Sequence, residues 1–180
     1  MRNQQKKMFA VVLCCLTLAL AFTVVYAADE FDPDEKYLGT IEIPGLGLST
    51  YIAPVRYLEG DKTWDIMDLG MNIGLLDGTT LDPNGVSILV GHNHLRETAN
   101  GPFLSISSLK INDRIFIRPK DGKLGVYSVY ASEKIKDGSL ESIRPYLKDR
   151  CTVLITCEEE QVDGTYAYRR VVFAELLSDN

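Results

Sequence analysis

Histidine and cysteine are scarce in this chain, and the scarcity narrows its chemistry. Two histidines, His92 and His94, stand one residue apart, and four cysteines fall into two groups, Cys14 with Cys15 and Cys151 with Cys157. A disulfide-stapled scaffold uses more cysteines in a shorter chain, so a free reactive thiol is the better reading of the second group. A four-ligand zinc site drawn from His92, His94, Cys151 and Cys157 is disfavoured as well. Six positions separate those cysteines in one strand-like run, about 20 Å at the rise of an extended chain. An acidic cluster of the EF-hand type is missing, which leaves calcium without support. Neither repeats nor low-complexity stretches are present, and no cofactor or metal is expected.

Acidic residues are absent before Ala27, where Arg2, Lys6 and Lys7 precede an uncharged apolar stretch from Met8 to Ala27. A segment of that length can span a bilayer as a helix, with the basic flank on the cytoplasmic side. Residues 1–27 are therefore read as a membrane anchor, 28–36 as an acidic linker, and 37–180 as one domain outside the cell membrane. Val25-Tyr26-Ala27 also fits a signal-peptidase site. The apolar region is longer than the about 7–15 residues of a cleavable signal, which favours a retained single-pass anchor. Beyond Ala27 the chain holds 16 basic and 25 acidic residues, a net charge of −9. Nucleic acid and anionic lipid are poor partners for such a surface.

Long helical patterns are also lacking. Short helical signals occur at 63–69, 102–109 and 139–147, whereas strand-like runs recur at 86–90, 114–118, 124–131, 151–156 and 169–177. Residues 38–44 and 48–54 flank Gly45 to Gly47 and read as a β-hairpin bounded by prolines. The glycine-rich stretch 70–85 reads as a long loop over one end of the domain. Many short strands with Gly, Asn and Asp turns point to a mainly β closed barrel or sandwich rather than to alternating β-α units.

The chemistry-bearing residues sit where apolar runs end. Cys157 closes the run from Thr152, and Arg169 opens the next one. If the two are antiparallel strands joined through 158–168, thiol and guanidinium share one sheet edge. His92 and His94 follow the run Val86 to Val90 and supply a candidate base, although each alone also reads as a surface histidine. Cys157 borders the polar run Glu158-Glu159-Glu160, the exposed setting a reactive thiol needs, and those carboxylates are expected to raise its pKa. Cys151, at the other end of its run, reads as structural. Arg169 and Arg170 point to opposite faces of a strand, and periodicity does not choose between them. On the plainer reading they are strand-edge charges that discourage aggregation.

These residues resemble the sortases, membrane-anchored cysteine transpeptidases of Gram-positive bacteria. Val153-Leu154-Ile155-Thr156-Cys157 resembles the family's Thr-Leu-x-Thr-Cys signature, with Val153 a departure. Gly91-His92 resembles the Gly-His after a buried strand, and Arg169 to Phe173 holds the arginine followed by three apolar residues. Gly39 to Pro44 looks like the opening strand with its Ile-Pro. Phe103 through Leu109-Lys110-Ile111-Asn112-Asp113-Arg114-Ile115 is similar to a further family segment, with Asn112 where glycine is usual. The family places an alanine five residues after its arginine; Ala174 is five after Arg169, which favours Arg169 over Arg170.

The resemblance implies an eight-stranded closed sortase-like β-barrel that cuts an LPxTG-like sorting signal and joins it to an amine. Cys157 would attack the scissile carbonyl to form a thioester, with His92 as proton donor and acceptor and Arg169 at the oxyanion or the substrate backbone. Thr156 would help shape the substrate groove, and Arg170, on the other face, would tolerate substitution. The partners implied are surface proteins or pilins bearing a C-terminal sorting signal, with an acceptor amine in a peptidoglycan precursor or pilin. Two alternatives stay open: a cysteine peptidase with water as acceptor, and a non-catalytic extracellular β-barrel adhesin.

Overall fold

The computed structural model describes residues 36–60, 63–95, 99–136, 139–162 and 165–179. The expected anchor, and all of the linker but Lys36, lie outside these residues. Among the described residues no helix is long and apolar enough to cross a membrane. The strands are β1 (Gly39–Ile43), β2 (Leu48–Val55), β3 (Tyr57–Leu58), β4 (Thr63–Trp64), β5 (Ile73–Leu76), β6 (Val86–Val90), β7 (His94–Leu95), β8 (Ala99–Asn100), β9 (Arg114–Pro119), β10 (Gly125–Ile135), β11 (Cys151–Glu160) and β12 (Tyr166–Asp179). Eight of them close a barrel in the order β1-β2-β5-β6-β11-β12-β10-β9. Closure leaves no unpaired edge, which is how an all-β domain avoids templating aggregation.

The expected hairpin is β1 and β2, joined by a 3-10 turn over Pro44–Leu46 that ends on Gly47 at φ 60. Proline fixes the first turn residue, and glycine takes the left-handed one at no steric cost. Asn112, where glycine is usual in the resembling family, also has a positive φ, 75. Asparagine is among the few side chains that tolerate that conformation.

Residues 70–85 are not one loop, because they contain β5. That strand pairs in parallel with β2 and antiparallel with β6. All four of its residues are buried, so it shows no apolar–polar alternation. A Cβ on its Gly74 would stand 2.3 Å from Val55 Cγ2 and 2.9 Å from Leu69 Cδ1. Only glycine lets the chain approach that closely.

The helical expectations shrink to single turns. Residues 63–69 form β4 and a 3-10 turn at Met67–Leu69, 102–109 hold a 3-10 turn at Ile106–Ser108, and 139–147 hold the helix α1 (Leu140–Ile143) followed by a 3-10 turn at Arg144–Tyr146.

Two apolar clusters identify the faces of the barrel wall. One draws on all eight barrel strands, through Ile41, Ile52, Ile73, Leu89, Ile115, Val129, Leu154 and Val172, and is the interior. Phe103, Ile106 and Leu109 pack into the same cluster. The second lies outside, on Val55, Ile88, Val153, Val171 and Phe173, where Leu69 and Ile143 cover it. Because side chains alternate along a strand, membership of either cluster reads out which way each neighbouring residue points.

Candidate active site

The parallel pairing of β6 with β11 brings two strand ends together. Its register sets Val86 opposite Cys151 and Val90 opposite Ile155. One more backbone bond follows, from Gly91 N–H to the Ile155 carbonyl at 3.1 Å. Continued by two residues, that register sets His92 beside Cys157. Across the antiparallel pairing of β11 with β12, Cys157 faces Arg169 directly. Residues opposite each other in such a pair project from the same face.

That face is the outer one for all three. Ile88 lies in the outer cluster with Val86 and Val90 against it, which by alternation sends His92 outward. Cys151, Val153 and Ile155 do the same for Cys157, and Val171 and Phe173 for Arg169. The structure therefore brings His92, Cys157 and Arg169 to one patch. His94 is elsewhere, exposed in β7 opposite Asn100 of β8.

His92 Nε2 lies 2.9 Å from the Ile66 carbonyl, on the segment covering this face. A carbonyl only accepts, so Nε2 carries the proton and Nδ1 of the neutral ring is left as the basic nitrogen. Sequence reasoning had no means of finding this contact, since a main-chain carbonyl leaves no trace in residue identity. Arg169 Nη1 donates to the Tyr168 and Tyr166 carbonyls at 3.1 and 3.4 Å. The guanidinium is thereby held along its own strand, beside the thiol.

Cys157 is half-buried, and burial pushes its thiol up from the ordinary value while Arg169 pulls it back in part. The upward push comes from desolvation rather than from the acidic run. Glu158 is engaged by Arg170, with Nη2 to Oε1 at 2.8 Å, and Glu159 by Lys134. Arg170 is therefore no idle edge charge. Its side chain and that of Glu158 are only 19% and 25% exposed, so each leans on the other for its charge. Cys151 is fully buried in the outer cluster, in keeping with a packing role.

Thr156 lies on the inner face, 5% exposed, and its hydroxyl donates to the Gly91 carbonyl at 2.8 Å. It ties the two strand ends together from behind, rather than lining a groove on the thiol side. Asn93, which sequence reasoning passed over, does similar work: its Nδ2 donates to the Cys157 carbonyl at 2.9 Å. The only signal for it was its place directly after His92.

Among the described residues no three His, Cys, Asp or Glu side chains converge as metal ligands. A cavity of about 640 Å³ opens at the other barrel mouth, lined by Leu75, Asp82, Pro119, Lys123 and Asp179 among others. Asp179 ends the strand near whose start Arg169 lies, so this cavity is remote from the patch.

Over residues 41–177 the sequence matches the family described as Sortase domain. Among solved structures the chain is similar to sortase E1 from Streptomyces coelicolor with a tripeptide in the active site, at 23% identity and TM-score 0.61, covering 81% of this chain and 90% of that one. Sortase A of Listeria monocytogenes is similar at 19% identity and TM-score 0.62, with 81% and 90% covered. Sortase C1 from Streptococcus agalactiae follows at 20% and 0.60, with 81% and 69% covered. These structural likenesses carry the fold. No curated protein matches the sequence.

Proposed function

The chain belongs to the sortase family of cysteine transpeptidases, and on that premise we propose that it cleaves an LPxTG-like sorting signal at Cys157 and passes the acyl group to an amine. The observation that carries the reading is the shared outer face of Cys157, His92 and Arg169, set by two strand registers. With its pKa raised by burial, the thiol is protonated at neutral pH. Attack on the scissile carbonyl therefore moves the thiol proton to His92 Nδ1 as the sulfur–carbon bond forms. The resulting imidazolium, held at Nε2 by the Ile66 carbonyl, gives a proton to the leaving amine, and a thioester remains. The incoming amine attacks the thioester, His92 takes its proton, and the thiol is restored. Arg169 stabilises the oxyanion in both halves or holds the substrate backbone.

The substrates on this reading are surface proteins or pilins with a C-terminal sorting signal, and the acceptor is a peptidoglycan-precursor amine or a pilin lysine. Residues 1–27 anchor the protein in the cell membrane with the domain outside. The test is a panel of sorting-signal peptides offered to the purified protein with several amines. Amide products are expected, formed through Cys157 and lost in Cys157→Ala, while Cys151→Ala retains turnover. Full activity in Cys157→Ala would end the proposal, and acid products alone whatever amine is supplied would replace it with a peptidase.

A further inference from the structure

The backbone ladder between β6 and β11 stops just short of the site. Its last bond runs from Gly91 N–H to the Ile155 carbonyl, and side chains take over from there. Thr156 Oγ1 donates to the Gly91 carbonyl at 2.8 Å, and Asn93 Nδ2 to the Cys157 carbonyl at 2.9 Å. An unbroken parallel ladder would offer that second carbonyl to the main-chain N–H of residue 93. Here a carboxamide reaches it, and a side chain is longer than a backbone N–H. The strand bearing His92 can thus bend away at Asn93 while staying tethered to the residue that carries the thiol. Divergence of this kind leaves room between imidazole and sulfur for a scissile peptide, and the tether sets how much.

We propose that Asn93 is a positioning residue for the Cys157–His92 pair, its carboxamide standing in for the ladder bond that its own N–H would make to the Cys157 carbonyl and fixing the separation of the two reacting groups. The inference rests on the reading of Cys157 and His92 given above. On this proposal Asn93 acts through the Cys157 carbonyl rather than on the reacting atoms.

The test uses the full-length chain with Asn93→Ala, Asn93→Asp, which keeps the size but removes the donor, and Asn93→Gln, which keeps the donor. Turnover of a sorting-signal peptide gives kcat and KM, and iodoacetamide labelling of Cys157, followed by mass of its peptide, gives thiol reactivity without substrate. Asn93→Ala and Asn93→Asp should lower kcat by about two- to tenfold, the worth of one neutral hydrogen bond, with KM little changed and Asn93→Gln closer to the parent. In a His92→Ala background, Asn93→Ala should no longer alter the labelling rate, since no imidazole is left to position. The proposal is overturned by an unchanged kcat in both donorless variants, or by an equal labelling effect with and without His92. Should His92→Ala itself leave turnover intact, the proposed function fails and this inference with it. Should His92→Ala abolish turnover while the donorless variants turn over normally, this inference alone fails.

Discussion

Arg169 and Arg170 are neighbours in sequence with opposite surroundings, and substitution separates them. Arg169 faces Cys157, and the oxyanion role proposed for it calls for a planar, permanently charged donor that lysine replaces poorly. Arg169→Lys should lower kcat by on the order of 10²-fold or more, as loss of an oxyanion donor does. Arg170→Ala, by contrast, strands a partly buried Glu158 carboxylate and should cost about 1–3 kcal/mol of stability. A denaturant midpoint reads the second effect, and turnover corrected for folded fraction reads the first. Loss of turnover confined to folded Arg170 variants would move the role to that residue. The thiol makes its own prediction. Because burial raises its pKa, alkylation of Cys157 should accelerate with pH through a midpoint above that of an ordinary thiol. Arg169→Ala should move that midpoint further up, since the pull of the guanidinium is lost. A midpoint that falls instead would mean that the arginine does not act on the sulfur.

At the scale of strands, what could be read in advance followed the type of burial. Strands with one buried face announce themselves, as β1 does with Ile41 and Ile43 inward and Glu42 outward. The ends of β11 and β12 were less legible. Both run on through polar residues, to Glu160 and from Tyr166, where the sequence suggested a loop. There Lys134 of β10 lies over the Tyr168 ring at 4.2 Å and pairs with Glu159 of β11. The patch itself was legible because Cys157, His92 and Arg169 each border an apolar run. Choosing Arg169 needed more than periodicity, and the tethers from Asn93 and Thr156 depend on a parallel register that local sequence does not encode. The strand β5 was hidden by its brevity and by Gly74, whose missing side chain is its contribution. Gly74→Val would force atoms into Val55 and Leu69, and also toward Val90 Cγ2, 3.1 Å from the added Cβ. A destabilisation of about 1–3 kcal/mol is expected from overpacking. A thermal midpoint equal to that of the parent would show that β5 can yield.

Taken whole, the domain should be sensitive to alkali through its interior. Tyr127 is 1% exposed, and burial pushes its phenol up to about 12 from 10.0. A proton held more tightly when folded stabilises fully below the unfolded value and is lost as pH rises through the folded one. Stability should therefore fall between about pH 10 and 12, and Tyr127→Phe should flatten that fall in a denaturant series. An unchanged slope would place the sensitivity elsewhere. The proposed anchor predicts that protease added to protoplasts digests the domain, and that the mature protein keeps residues 1–27. A mature protein starting at Ala28 would make the segment a cleaved signal. The strand order carries one more consequence, in time rather than in space. The strand β12 follows β10 and β11 in the chain but lies between them in the sheet, so the barrel cannot close until that stretch arrives. The candidate nucleophile and base, 65 positions apart, meet only through such long-range pairing, which is slow to form. A chain still emerging from synthesis or export would carry its thiol without the arginine opposite it. The pair set opposite each other by β11 and β12 would then exist only once β12 has joined the sheet.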